Sequence, residues 1–210
     1  MAFAASEGPN LGGDVVLRLR SRNLRALLLL ATGVTLLAAP FAVAATINGT
    51  SGDDLLTGTG SGDLISAKAG LDTVYGNAGS DEIYGDEDID YLDGGDDGDT
   101  IRGGLARDYV EGGNVADTIY GGEGNDTYSA GGGVSPGGLY GETGADHIYG
   151  YDGNDYLSGG PQSDVMDGQA DDDEIDAEDG EADTIHGGPG YDTCHVDGFD
   201  TNRDGCEVVD

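Results

Sequence analysis

A set of aspartates recurs along this 210-residue chain with a spacing of nine. Aspartate holds the sixth position of a nine-residue unit, in which a glycine-rich hexad precedes a triplet with an apolar middle residue. These aspartates are Asp54, Asp63, Asp72, Asp81, Asp90, Asp99, Asp108, Asp117, Asp126, Asp146, Asp155, Asp164, Asp173, Asp183 and Asp192. Each hexad offers carboxylate and main-chain carbonyl oxygens, the ligands that the hard cation calcium takes at about 2.3–2.6 Å. The spacing therefore predicts a series of cation sites.

The units can be placed on the sequence almost without gaps. They begin at residues 49, 58, 67, 76, 85, 94, 103, 112 and 121 and, after two extra residues, at 132, 141, 150, 159, 168, 177 and 187. The unit at 177 is one residue too long, so that Asp183 takes its sixth position. Of these sixteen units, fifteen have Asp at the sixth position, with Gly137 as the exception, and all have an apolar eighth residue. Glutamate never takes the sixth position. A merely solvated acidic surface would not need this restriction.

This pattern resembles the calcium-binding nonapeptide repeat of the RTX (haemolysin-type) family over residues 49–195. The resemblance implies an all-β fold, a parallel β-roll over residues 45–195 with two units in each coil. Each hexad would be a turn and each triplet a short strand. Calcium ions would lie between turns stacked on the same side.

Stacking would bring the aspartates together in pairs. Coils stack about 4.8 Å apart, so Asp54 should face the same gap as Asp72, and Asp63 the same gap as Asp81. Two such carboxylates repel each other unless a cation lies between them. Glycines at the first and fourth positions should adopt positive φ and turn carbonyls toward the ion. Units without the fourth glycine should bind more weakly, and the ladder should break or bulge at 132–140.

The apolar core should be thin. In a three-residue strand only the middle side chain, the eighth of the unit, points inward. One buried side chain in each unit cannot offset the entropy of ordering a backbone so rich in glycine. We therefore expect the chain to be largely disordered without calcium and to fold as it binds the ion.

Residues 1–44 precede the repeat and have a different composition. Four arginines, Arg18 to Arg25, are followed by the apolar run 26–39, then Pro40 and the triplet Ala42-Val43-Ala44. This order is typical of a secretory signal peptide cleaved after Ala44, which predicts a secreted, extracellular protein with no membrane span. The alternative is an uncleaved anchor, but the run is shorter than the roughly 20 residues that cross a bilayer.

The charge balance restricts the partners. The chain has 8 basic and 42 acidic residues, and 4 and 40 remain without the predicted leader. Such a polyanion is not expected to bind nucleic acid or an anionic membrane surface. It requires cations.

The only two cysteines, Cys194 and Cys206, lie close together near the end of the sequence. In an exported chain this favours a disulfide, here one that closes a C-terminal cap at residues 196–210. A metal pair or free thiols are the alternatives. Asp200 to Gly205 also matches the first half of an EF-hand loop, so the tail is either a partial calcium site or a tight turn that returns Cys206 to Cys194.

Sequence motifs give little support for catalysis. None of the three histidines forms an H-E-x-x-H motif, and no G-x-S-x-G sequence occurs. We therefore expect no enzymatic activity. Two other functions remain open: an adhesin or surface-binding module stabilised by calcium, with a cell-surface or matrix partner, and a disordered polyanion that buffers ions. Outward tyrosines such as Tyr91 and Tyr109 would serve an adhesin, although simple packing between coils also explains them.

Overall fold

The structure is a computed structural model that describes residues 43–126 and 138–209. The predicted leader, apart from Val43 and Ala44, and most of the unit at 132–140 lie outside the described residues. The strands are β1 Thr46–Asn48, β2 Leu55–Thr57, β3 Leu64–Ala69, β4 Thr73–Ala78, β5 Glu82–Glu87, β6 Tyr91–Asp96, β7 Thr100–Leu105, β8 Tyr109–Asn114, β9 Thr118–Glu123, β10 Gly138–Thr143, β11 His147–Asp152, β12 Tyr156–Ser158, β13 Val165–Ala170, β14 Glu174–Ala177, β15 Thr184–His186, β16 Asp192–Val196, β17 Thr201–Asp204 and β18 Cys206–Val209. Residues 43–126 and 138–209 include no helix of the length and apolarity needed to span a membrane.

The strands form two parallel sheets of nine strands each. The odd-numbered strands make one sheet, from β1 to β17 in order, and the even-numbered strands make the other, from β2 to β18. After each unit the chain crosses to the other sheet, and after two units, one full coil, it is back in the first sheet beside its earlier strand. Val74 therefore lies opposite Leu92, its counterpart two units later, in the even sheet. The all-β parallel roll is confirmed.

The eighth positions form the apolar core between the sheets. From Leu56 to Cys194, every described eighth residue is at most 5% exposed. The prediction that only this position faces inward was wrong, because most strands are longer than a triplet. Ten of the eighteen described strands have six residues, and alternation along them also turns the first-position residue inward. The sixth-position aspartate, just before the strand, is buried as well, except for Asp54, which is half-buried.

Glycine has a different role at the first position from the one expected. Positive φ occurs at second and fourth positions, as in Gly104 (φ 125°) and Gly124 (φ 148°), whereas the described first-position glycines do not have it. Most described units without the fourth glycine keep the same turn, because their fourth residues have positive φ all the same: Asp88, Asp97, Ala106, Val115, Gln162 and Asp171. Ser61, the fourth residue of the unit at 58, is the exception.

The expected break near residue 132 does not interrupt the sheets. Strand β10 pairs with β8, with Leu139 opposite Val110, and the main-chain N–H of Asp117 donates to Oδ1 of Asp146 at 2.7 Å, across the interruption. The triplet 138–140 thus completes the unit that begins at Gly121, and residues 127–137 are an insertion. The described residues form fifteen full units rather than sixteen.

The sheets extend beyond residue 195. Strands β17 and β18, in the segment 196–210 predicted as a cap, pair with β15 and β16. The disulfide between Cys194 and Cys206 is confirmed, with a Cα–Cα distance of 5.8 Å. It joins the last two strands of the even sheet.

Candidate metal centre

The sixth-position aspartates form two ladders, one along each sheet. From Asp72 to Asp192, each carboxylate accepts a hydrogen bond at Oδ1 from the main-chain N–H of the aspartate one coil earlier. Asp72 N–H donates to Asp90 at 2.9 Å in the even sheet, and Asp81 N–H donates to Asp99 at 2.7 Å in the odd sheet. The predicted pairing of aspartates two units apart is confirmed, and it is the backbone that holds each carboxylate in place.

The second oxygen of most of these carboxylates is buried without a partner. Thirteen Oδ2 atoms have no hydrogen-bond donor among the described residues: those of Asp72, Asp81, Asp90, Asp99, Asp108, Asp117, Asp126, Asp146, Asp155, Asp164, Asp173, Asp183 and Asp192. Buried polar groups in native proteins are nearly always paired, and an unpaired buried carboxylate is costly. A cation beside this regular series of oxygens would provide the partner that the described residues do not.

Burial raises the pKa of these carboxyl groups above the ordinary value of 3.8, although the N–H bond from the preceding coil lowers it again in part. The pKa rises to about 6 in Asp72, Asp81, Asp146, Asp155 and Asp183, to about 7 in Asp99 and Asp126, and to about 8 in Asp90, Asp108, Asp117, Asp164 and Asp173. Burial also raises the pKa of Asp192. Without a cation, the fold therefore favours protonated carboxyls.

Carbonyl oxygens converge with these carboxylates beside the first-position glycines. A Cβ atom built on Gly94 would lie 2.5 Å from Oδ2 of Asp99 and 2.5 Å from the carbonyl oxygen of Gly112, one coil later. At Gly103 the corresponding oxygens, from Asp108 and the next coil, both lie 2.6 Å away. A side chain at either glycine would enter the space between the two oxygens.

The donor set fits a hard cation held partly by the backbone. In residues 43–126 and 138–209, no three carboxylate, imidazole or thiolate groups come together around one point. A cation would instead be held by the Oδ2 atoms with first-position carbonyls such as that of Gly112, a mixture typical of calcium sites. Its two positive charges would compensate the buried carboxylates.

A family model described as the RTX calcium-binding nonapeptide repeat (4 copies) matches residues 44–74, 57–92, 84–119, 102–134, 139–166 and 159–194. These matches cover well over half of the chain. The chain belongs to the RTX calcium-binding nonapeptide repeat family. Among curated proteins, none matches this sequence. The RTX repeat and the two ladders occupy the same residues, so the unpaired oxygens lie where the family is expected to bind calcium.

Two of the predicted site residues differ from the other aspartates of the RTX ladders. Oδ2 of Asp54 accepts the main-chain N–H of Thr50 at 2.5 Å, and Oδ2 of Asp63 accepts that of Thr59 at 2.5 Å. Both belong to the first two units, which together form the first coil. These oxygens already have donors.

Two further ladder positions were missed by the sequence reasoning. Asp200 Oδ1 accepts the N–H of Asp183 at 3.2 Å, and Glu207 Oε2 accepts that of Asp192 at 2.6 Å. The spacing from Asp183 to Asp200 is one short of two units, so a search that tolerated a shift of one position would have found Asp200. Glu207 follows Asp192 at a still shorter spacing, outside the period, and gives no such signal.

The tail that resembles half an EF-hand does not bring its carboxylates together as ligands. Both oxygens of Asp200 accept main-chain N–H groups, from Asp183 and Asp197. The guanidinium of Arg203 donates to the carbonyl oxygens of Asp197 and Asp200. These contacts favour the turn over the partial calcium site.

Proposed function

We propose that this chain is an exported calcium-binding β-roll without catalytic activity, which folds as it takes up calcium. The observation that carries the proposal is the series of thirteen buried Oδ2 atoms without a donor among the described residues. A metal-free roll must either bury charge or keep protons on these carboxyls at neutral pH. Calcium removes that penalty, and it binds the folded chain rather than the loose one, so it stabilises the fold by mass action.

Calcium binding and the disulfide both suit an exported protein. Extracellular calcium is sufficient for sites of about 10⁻⁴–10⁻³ M affinity, and the disulfide between Cys194 and Cys206 is of the kind that persists in oxidising compartments. A secretory leader ending at Ala44 would place the chain there.

The arrangement of the outward tyrosines argues against the alternative function as an adhesin. The rings of Tyr91 and Tyr109 stack on each other, with centroids 5.1 Å apart and planes within 9°. Their hydroxyls donate to the same carboxylate, that of Glu111, at 2.6 and 2.5 Å. Ring faces that pack on each other are not presented to a partner such as a glycan.

Chelation tests the proposal directly. The chain beginning at Ala45 is equilibrated with excess EDTA or with calcium and followed by far-ultraviolet circular dichroism and small-angle X-ray scattering. We expect β-structure and a compact radius with calcium, and loss of both in EDTA. Magnesium at equal ionic strength is the control, because it demands a tighter octahedral geometry. A compact, sheet-rich chain in EDTA would contradict the proposal.

A further inference from the structure

The oxygens at the two ends of the ladders differ from those between them. In the first coil, Oδ2 of Asp54 also accepts the hydroxyl of Thr50, at 2.8 Å, in addition to its N–H. Asp63 is bound on both oxygens, since Oδ1 accepts the N–H of Ala45 at 2.5 Å and Oδ2 accepts that of Thr59. In the last coil both oxygens of Asp200 accept N–H groups.

The outermost main-chain carbonyls are also taken by side chains. Gly49 and Gly58 are the first residues of the first two units, so no earlier full unit stacks on their carbonyl oxygens. The ammonium of Lys68 donates to the carbonyl of Gly49 at 2.7 Å, and the amide of Asn77 donates to that of Gly58 at 2.9 Å. Both donors are second-position residues one coil later. At the other end the guanidinium of Arg203 binds two carbonyls.

We propose that the end positions of the roll are closed by the chain's own donors and take up no calcium, so that the ions are confined to the carboxylates from Asp72 to Asp192. This inference rests on the proposed function and states where it operates. To bind an ion, the end carboxylates would have to give up hydrogen bonds that the inner Oδ2 atoms do not make. Near Gly49, the ammonium of Lys68 would also repel a second cation.

The physical reason is that a solenoid has no neighbour beyond its ends. An inner ion can draw oxygens from two successive coils, whereas an ion at either end would have only one coil among the described residues. Helix ends are similar, because side chains there form hydrogen bonds with the main-chain groups that have no partner in the next turn. Lys68, Asn77 and Arg203 act in this way here.

Matched substitutions within one ladder test the inference. Asp63→Asn and Asp99→Asn each remove one carboxylate from the odd-sheet ladder and keep an amide oxygen as acceptor. Bound calcium per chain is measured by mass spectrometry of the gel-filtered protein and by titration calorimetry, in the full chain from Ala45. We expect Asp63→Asn to bind as many ions as the parent, and Asp99→Asn to lose at least one.

A second variant keeps the test valid if Asp63→Asn fails to fold. Asp200→Asn alters the opposite end, and we expect it also to retain the full number of ions. Loss of an ion from a folded Asp63→Asn or Asp200→Asn protein would overturn the inference. A parent chain that binds no calcium would instead contradict the proposed function, so the two failures are distinguishable.

Discussion

The clearest test of the buried ladders is Asp108→Asn, because the substitution should stabilise the metal-free fold and weaken the stabilisation by calcium. Asp108 is fully buried. Its Oδ1 accepts the N–H of Asp90 at 2.9 Å, and its Oδ2 has no donor among the described residues. Asparagine keeps the first contact and removes the charge.

The effect on the metal-free fold can be worked from the pKa. Burial, together with the neighbouring carboxylates of Asp126 and Asp90, raises the pKa of Asp108 from 3.8 to about 8. At pH 7 the unfolded chain is ionised and the folded chain is protonated, which disfavours folding by about 4 kcal/mol at about 1.4 kcal/mol per pKa unit. Desolvating the new amide costs about 1–3 kcal/mol. A net stabilisation of about 1–3 kcal/mol remains for Asp108→Asn without calcium.

The calcium-bound fold should respond in the opposite direction. A site occupied at 100 times its Kd adds about 2.7 kcal/mol to the free energy of unfolding. Loss of the Asp108 carboxylate should remove most of that increment, because ligand charge sets the affinity of calcium sites. The variant should therefore be more stable than the parent in EDTA and gain less from calcium.

Trimethylamine oxide makes the metal-free comparison measurable, since this osmolyte favours burial and can fold a marginal chain. We expect Asp108→Asn to fold in EDTA at a lower osmolyte concentration than the parent, followed by circular dichroism. Urea unfolding with calcium measures the second effect. Glu87→Gln, which removes the same charge from an exposed position, is the control. It should change the free energy of unfolding by at most about 0.5 kcal/mol, with or without calcium. A requirement for more osmolyte, or an unchanged calcium increment, would refute the reasoning.

Four other outcomes are expected. Gly94→Ala should destabilise the calcium-bound fold by about 1–3 kcal/mol in urea unfolding, because its methyl would enter between two oxygens each 2.5 Å away, whereas Gly198→Ala, with nothing within 4 Å, should have no effect. Val115→Gly should stabilise the fold by about 1 kcal/mol, since a β-branched residue with φ 78° is strained; an unchanged urea midpoint would contradict this. Carboxyls with pKa raised to about 6–8 stabilise the metal-free fold at low pH and lose that contribution as pH rises through these values. Circular dichroism in EDTA should therefore show more β-structure at pH 4 than at pH 8. Ala67→Gly, at a buried first position that lacks glycine, should raise the calcium increment of stability; a smaller increment would count against the role of first-position glycine.

Much of the fold could be predicted from the sequence because one pattern repeats. The period of nine predicted the coil, the apolar core from Leu56 to Cys194, and the stacking of aspartates two units apart. The insertion could not be placed in the same way. Thr127-Tyr128-Ser129 follows Asp126 in perfect register, and Gly138-Leu139-Tyr140 fits the same place in the coil. Only pairing with β8 and β12 shows that the second triplet takes it.

The site was harder to predict because composition does not indicate side-chain direction. A hexad rich in glycine and aspartate is typical of an exposed turn, yet its last residue and the first residue of the next hexad point inward. The end positions depend on residues outside the pattern, such as Lys68 and Thr59. Their donors satisfy oxygens that the repeat alone would assign to calcium.

The inward direction explains why the sixth position is aspartate and never glutamate. In one carboxylate, Oδ1 must reach the N–H of the preceding coil, as Asp99 does at 2.7 Å, while Oδ2 lies beside the first-position glycine of its own unit. A side chain longer by one methylene would push the carboxylate into the space that it shares with the next coil's carbonyl. Glu207 makes the equivalent hydrogen bond only in the last strand, where the register shifts beside Asp192 and no further strand follows among the described residues. If calcium binds as proposed, the short carboxylate and the missing side chain of the glycine serve one purpose, which is to leave room for the ion between coils.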